Sequence, residues 1–406
     1  MGALIRRLVA LPIVGLATAL MMSTVGPSAS ALPIYPVSDP DPFFGAPADL
    51  VAAHQPGDVL KIRHMPPNLY FPGSEVWELL FRTTDSEGKP IAANTTLLIP
   101  PNFVPDSPLV SYQHIINALG HKCKIATELY TTDPLTQIRE APGLNIALAR
   151  GWAVALPDHL GPRMAYGAAK LGGQITLDGI RAVKRVPELR VVNSPVGMGG
   201  YSGGGMATSW AAALAPTYAP ELDIVGAAEG GAPMNMVKMA STLGTNPHPA
   251  FGLAMAAALG LEREYPERMN VTDQLNDNGR WLQSMIRDGC TNEIMFWGVG
   301  RSASQVTDNV NFMDDPSAWQ VMEENSLELY PGVPSVPIFE WHSPTDALVP
   351  VDAIDNTVRR YCAAGVPVQT LLTPSPDHLS AAVLGLPQAL DWLDARFRGV
   401  PAPSTC

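Results

Sequence analysis

Positive charge is scarce in this chain of 406 residues: 26 Lys and Arg stand against 38 Asp and Glu, a net charge of −12 at pH 7. Nucleic-acid binders need a basic face for phosphate, so that class is excluded. Charge of either sign is sparse, at 16% of residues. No polybasic patch or basic amphipathic helix is present, which argues against permanent membrane attachment. After the N-terminus no stretch reaches about 18 uninterrupted apolar residues, so no later spanning helix is expected. Internal repeats and low-complexity runs are also missing, which removes solenoid and fibrous architectures. The sequence contains no C-x-x-C and no His-plus-Cys cluster at zinc spacing, so no metal site is expected.

Apolar residues and proline are abundant. Hydrophobic residues make up 46% and there are 40 prolines. That composition can bury a large core punctuated by rigid loops. The length allows one large domain with insertions, or two domains. At the N-terminus, Arg6-Arg7 precede an apolar run from Leu8 to Met22 and the small-residue site Ala29-Ser30-Ala31. The pattern predicts a signal peptide over 1–31, cleaved after Ala31. A membrane anchor would need a longer run, and Gly26-Pro27 interrupts this one. The flanks of Arg6-Arg7 fit a twin-arginine signal poorly, so Sec export is the expectation. The remainder is expected to be soluble and secreted.

Four cysteines remain after cleavage: Cys123, Cys290, Cys362 and Cys406. An even count in an exported chain suggests two disulfides, for which three pairings exist. Nearness along the chain favours Cys123 with Cys290 and Cys362 with Cys406.

Val76 to Thr84 and Ile91 to Ile99 alternate in the β manner around the turn formers 85–90, which predicts an antiparallel hairpin. Short apolar runs follow at Leu109 to Tyr112, Trp152 to Leu156, Val196 to Met198, Ile224 to Ala227, Val336 to Trp341 and Val366 to Leu372. Such runs resemble strands buried on both faces. Helical patterns lie between them at Asn145 to Arg150, Ile175 to Val186, Met206 to Leu214, Val351 to Ala364 and Pro387 to Phe397. The alternation predicts an α/β fold with a mostly parallel central sheet and an antiparallel leading edge. A helical stretch over 233–325 interrupts this rhythm and divides the core into 32–232 and 326–406. It carries nine of the sixteen methionines: Met234, Met236, Met239, Met255, Met269, Met285, Met295, Met313 and Met322. They suit either an adaptable apolar cap over a ligand or the packed core of a helical subdomain.

Gly200-Tyr201-Ser202-Gly203-Gly204 matches the nucleophile-elbow pattern G-x-S-x-G, with an apolar strand before it and an Ala-rich helix after it. Small neighbours are needed because the turn is strained. Gly203 N–H would face the reacting oxygen, beside a helix start. A serine nucleophile needs a base, which follows an acid in this chain order. His378, between a late strand and a C-terminal helix, is the expected base; His342 reads as a structural or loop-orienting residue. Asp346 follows the strand ending at Trp341 and is the expected acid. Asp352 and Asp355 fall inside the next helix, and Asp377 adjoins His378 too closely to face it. His54, His64, His114, His121, His159 and His248 precede the acid and read as ordinary surface or core residues.

These segments, Gly199 to Gly205 with its Ala-rich helix, His342 to Pro350 and Asp377-His378, resemble the secretory lipases of the lipase A type. The resemblance implies an α/β-hydrolase core with an inserted helical cap, no metal or organic cofactor, and hydrolysis of acyl esters such as triacylglycerols. It also pairs cysteines near 123 and 290. In that family an Asp typically follows a Ser-Tyr-Gln segment in the loop that supplies the second oxyanion donor; here the matching position is Asn117. Some relatives run past their last cysteine in a mobile flap, whereas this sequence stops at Cys406. A more open site is expected, taking short or medium acyl esters as well as long ones. The expected partners are an acyl-ester substrate and, transiently, a lipid interface, with no nucleic acid and a monomeric state. An acyltransferase or peptidase on the same triad, or a binding protein without catalysis, are the alternatives. N-terminal sequencing of the exported protein is expected to start at Leu32.

Overall fold

A computed structural model describes residues 32–131, 134–244, 246–308 and 315–406, without the side chains of 134–140. The expected signal peptide over 1–31 and Met313 lie outside the described residues. One nine-stranded sheet forms the centre, in the order β1-β2-β3-β5-β4-β6-β7-β8-β9. β1 (Val59–His64), β2 (Glu75–Thr84) and β3 (Pro90–Ile99) pair antiparallel, and β3 joins β5 antiparallel. β4 (Leu109–Gln113), β5 (Ala153–Pro157), β6 (Val196–Tyr201), β7 (Ile224–Gly230), β8 (Ile338–His342) and β9 (Val368–Leu372) run parallel. Every residue of β5, β6 and β8 is buried, which is why these strands read as apolar runs rather than as alternations.

The β2–β3 turn follows from Asp85. Its Oδ1 accepts the N–H groups of Glu87 at 3.0 Å and Lys89 at 2.8 Å, while Gly88 takes φ +89°. β1 goes unrecognised in the sequence because neither of its faces is fully buried, so the pattern of alternation is weak.

Before β1 comes the short α1 (Ala48–Ala52), and after β4 the short α2 (Ile125–Glu128). α3 (Pro134–Ala149) and α14 (His378–Phe397) cover one face of the sheet, where Leu144, Leu148, Leu390, Trp392 and Leu393 share a core cluster. α4 (Ala169–Lys184), α5 (Gly203–Tyr218) and α13 (Val351–Ala363) cover the other. α4 begins six residues before the expected Ile175. Gly172-Gly173 lies within it, and a Cβ on Gly173 would stand 2.9 Å from Ala211 N, so this pair lets α4 and α5 touch. α14 likewise starts at His378 rather than Pro387, which sits inside it. His378 is therefore the first residue of a helix and not part of a loop.

Between β7 and β8 the described chain is helical: α6 (Met236–Gly244), α7 (Phe251–Glu264), α8 (Val271–Gln274), α9 (Asp277–Ile286), α10 (Thr291–Gly298), α11 (Ala303–Val306) and α12 (Pro316–Glu324). Met234, Met236, Met255, Met269 and Met322 are buried there, while Met285 is exposed. Disulfides join Cys123 to Cys290 and Cys362 to Cys406. The first ties the segment after β4 to the α9–α10 turn, and the second fastens the C-terminus to α13. Among the described residues no helix is long and apolar enough to cross a membrane.

Glu229 and Glu340 are direct partners across β7 and β8, and His342, two residues on, takes Glu340 at 2.9 Å. All three are buried. Burial, with the neighbouring Glu340 carboxylate adding to it, pushes Glu229 up to about 8. The Ser209 hydrogen bond opposes this rise without overcoming it. The folded protein thus holds a proton that the unfolded chain has released above 4.5. Stability from this group should fall as pH rises from about 4.5 towards 8, by up to about 1.4 kcal/mol per pH unit. Glu229→Gln is expected to flatten that slope in urea denaturation across this pH range.

Candidate active site

β6 ends at Tyr201 and α5 starts at Gly203, so Ser202 alone makes the turn, at φ 55° and ψ −122°. That conformation costs a side-chain-bearing residue about 1–3 kcal/mol and persists only where packing imposes it. Here Ser202 N–H donates to Gly230 O at 2.8 Å, and Ser202 O accepts Met206 N–H at 2.8 Å. A Cβ on Gly200 would come within 2.6 Å of the Gly204 carbonyl, and one on Gly204 within 1.9 Å of Gln113 O. The two glycines let the turn close against α5 and β4. Ser202 is left 7% exposed, with its hydroxyl at the carboxyl edge of the sheet.

His378 Nε2 lies 2.9 Å from Ser202 Oγ, and His378 Nδ1 lies 2.6 Å from Asp346 Oδ2. The helix start is fixed by Asp377, whose Oδ1 accepts the N–H groups of Leu379 and Ser380 at 2.9 Å each. Tyr201 Oη donates to His378 O at 2.6 Å, tying His378 to the strand that ends beside Ser202. The Tyr201 ring also packs on the imidazole, centroids 5.0 Å apart. Asp346 Oδ1 accepts Leu348 N–H at 2.9 Å and Val349 N–H at 3.0 Å, leaving Oδ2 for His378. Burial opposes ionisation of Asp346, but the His378 hydrogen bond and charge and these two N–H groups outweigh it and hold the carboxyl below its usual range.

The competing residues lie elsewhere. Asp352 pairs with Lys238 at 2.6 Å, Asp355 sits further along α13, and Asp377 is occupied as a helix cap. His342, the last residue of β8, is held by Glu340 at 2.9 Å. His114, the first residue after β4, and His159 are buried, with His159 Nε2 3.0 Å from His114 O, and burial lowers His159 to about 4.

Asn117 stands beside the elbow: a Cβ on Gly203 would lie 2.4 Å from its Oδ1. That oxygen is buried with no hydrogen-bond partner among the described residues. A cavity of about 390 Å³ opens at Ser202 and Asn117 and runs into the helical insertion, walled by Met206, Met236, Met239, Phe251, Met255 and Met269 among others. The insertion methionines line this space as well as filling the core around it. Tyr201, inside the motif, carries no signal of its tie to His378. Arg263, a buried cation that donates to Leu119 O at 2.7 Å, is equally silent in the sequence.

The chain was compared with known proteins. A family model described as secretory lipase matches residues 130–405. Lipase 6 of Candida albicans is 31% identical, covering 93% of this chain and 85% of its own. A Mycobacterium tuberculosis protein named as a probable inactive lipase is 33% identical, covering 89% of this chain and 82% of its own. Among solved structures, Candida antarctica lipase A in its closed state aligns with a TM-score of 0.82 at 26% identity, covering 90% of each chain. With the nine-stranded sheet and its helical layers, these matches establish that the chain belongs to the secretory lipase family, on an α/β-hydrolase fold.

Proposed function

We propose that the protein is a secreted serine hydrolase that cleaves acyl esters through an acyl-enzyme on Ser202. The observation that carries this reading is the unbroken line from Asp346 through His378 to Ser202, at 2.6 and 2.9 Å. His378 Nε2 takes the hydroxyl proton as Ser202 Oγ attacks the ester carbonyl carbon. The tetrahedral oxyanion is met by Gly203 N–H and by Asn117. As the carbonyl re-forms, His378 gives the proton to the departing alcohol, leaving the acyl group on Oγ. Water then enters, loses a proton to His378, and the acid is released as Ser202 regains its hydrogen. Asp346 keeps Nδ1 protonated and stabilises the imidazolium without taking the proton.

The cavity supports an apolar acyl group as substrate. Its volume of about 390 Å³ falls within the range of small-molecule sites. Its thioether and aliphatic walls offer little to a peptide's backbone, which favours esters over amides. Triacylglycerols and simpler carboxyl esters both fit this description, and the two disulfides suit the oxidising surroundings of an exported enzyme.

Hydrolysis of p-nitrophenyl esters from acetate to palmitate tests the reading. Ser202→Ala is expected to leave only a trace of activity, and Asp346→Asn to lower kcat by about 10⁴. Full activity in Ser202→Ala, or a folded wild type that neither hydrolyses any of these esters nor reacts with a fluorophosphonate, would move the protein to a binding role. Asn117→Ala is expected to lower kcat by about 10²–10³, the usual consequence of losing one oxyanion donor. Turnover within about twofold of wild type would assign the second donor to the Asn117 main-chain N–H instead.

A further inference from the structure

The loop that carries Asn117 belongs to the core by sequence, since it follows β4, yet the hydrogen bonds of Asn117 and Leu119 run to the helical insertion. Asn117 O accepts the Thr291 hydroxyl at 3.2 Å, and Leu119 N–H donates to Gly289 O at 3.0 Å. Leu119 O accepts Arg263 Nη1 at 2.7 Å, and the same guanidinium donates through Nη2 to Arg287 O at 2.7 Å. A Cβ on Gly120 would lie 2.3 Å from Asp288 O, so the two backbones are in direct contact. Lys122 reaches Glu293 at 2.8 Å, and Cys123 is bonded to Cys290. These partners lie on α7 or between Arg287 and Glu293, around the α9–α10 turn. On the core side, the start of the loop is held through His114 O, which accepts Ile116 N–H at 3.0 Å and faces His159 Nε2 at 3.0 Å.

We infer that the α9–α10 turn, from Asp288 to Thr291, is a positioning element for oxyanion stabilisation: it holds the Asn117-bearing loop against Gly203, so turnover depends on the insertion's backbone as well as on the cavity it walls. The inference rests on the ester-hydrolase reading above. Physically it follows from the demands of the oxyanion site. Donors there must be fixed before the charge develops, and a displacement of about 1 Å can cost about 10²-fold in rate. The core holds the two ends of the loop, at His114 and where Asp158 Oδ1 accepts Ile125 N–H at 2.6 Å, and packs Leu160 and Met164 on Ile116 and Ala118, but the hydrogen bonds of Asn117 and Leu119 between those ends run to the insertion. Fastening it to the insertion by a disulfide, a backbone hydrogen bond, a hydroxyl and a guanidinium removes the freedom left between those ends. Among the described residues neither Thr291 nor Arg263 hydrogen-bonds Ser202 or His378; Arg263 also donates to Arg163 O and Met164 O, whereas the Thr291 hydroxyl meets the loop at Asn117 O.

Thr291→Val keeps the shape of the side chain and deletes its hydrogen bond to Asn117 O. It is expected to lower kcat on a soluble ester roughly tenfold with KM within about twofold, and Thr291→Ser to restore it. The pair Cys123→Ser/Cys290→Ser should lose at least as much kcat, whereas Cys362→Ser/Cys406→Ser, which removes the disulfide far from this loop, should keep kcat near wild type. If Thr291→Val turns over at the wild-type rate while Ser202→Ala is inactive, the inference is overturned and the hydrolase reading stands. A loss that Thr291→Ser fails to rescue, or one confined to KM or to thermal stability, also overturns it. Activity that survives Ser202→Ala overturns both.

Discussion

The backbone of Ser202 is the constraint on which the rest of the molecule depends. A residue with a side chain held at φ 55° costs about 1–3 kcal/mol, and only close packing on both sides keeps it there. β6 supplies one side, with every residue buried between β4 and β7. α5 supplies the other: its residues from Gly203 to Ala215 are all buried, and Thr208 Oγ1 bonds Gln113 Oε1 at 2.7 Å across to β4. The small residues at the start of α5 follow from this. They let the helix press on β4 closely enough that relaxing Ser202 would break more contacts than the strain is worth. The same pressure leaves the hydroxyl facing the sheet's carboxyl edge, where the parallel strands deliver their loops.

The line from Ser202 to Asp346 does not depend on its own two hydrogen bonds for alignment. Tyr201, next to the serine, holds the main chain of His378. Thr373 N–H and Oγ1 both bond His342 O, at 2.9 and 3.0 Å, and Ser343 Oγ donates to Ser375 O at 2.7 Å. The loops after β8 and β9 are thus stitched to one another before either catalytic candidate is considered. Asp346 then spends one oxygen on two backbone N–H groups and has a single orientation left for the other. Rigid backbone ties of this kind suit the proposed role of His378, a base that would exchange a proton with Ser202 without drifting from it.

Much of this was legible because it is local. The hairpin announced itself through alternation around Asp85 to Pro90, the buried strands through short apolar runs, and the elbow through glycines whose absent Cβ atoms are a steric necessity. Asp346 and His378 could be chosen because chain order and the ends of strands constrain where an acid and a base belong. What was hidden was set by distant packing. Gly172-Gly173 and Pro387 look like helix breakers, and only the proximity of Ala211 to Gly173, or the accommodation of Pro387 within α14, explains why the helices run through them. β1 sits half-covered at the sheet's edge and so lacks a burial pattern. Arg263 is 144 residues from Leu119 and Thr291 is 174 from Asn117, separations over which composition and periodicity say nothing.

Asn117 gives the site a different electrostatic character from that expected of relatives with an acid at the matching position. An ionised carboxylate beside Gly203 would repel the oxyanion of the proposed reaction, so an acid could serve only while protonated, held neutral by its apolar surroundings. An amide meets the same geometry with no proton to lose. Its NH₂ donates whatever the pH, and a half-turn of the amide puts that NH₂ where the oxygen now faces Gly203. The requirement on the loop therefore shifts from electrostatics to position: a neutral amide has no charge to tune and must instead be placed accurately. That is a physical reason for Asn117 to ride on a loop gripped at Asn117 O, Leu119 and Cys123, with the grip supplied by the helices that enclose the cavity.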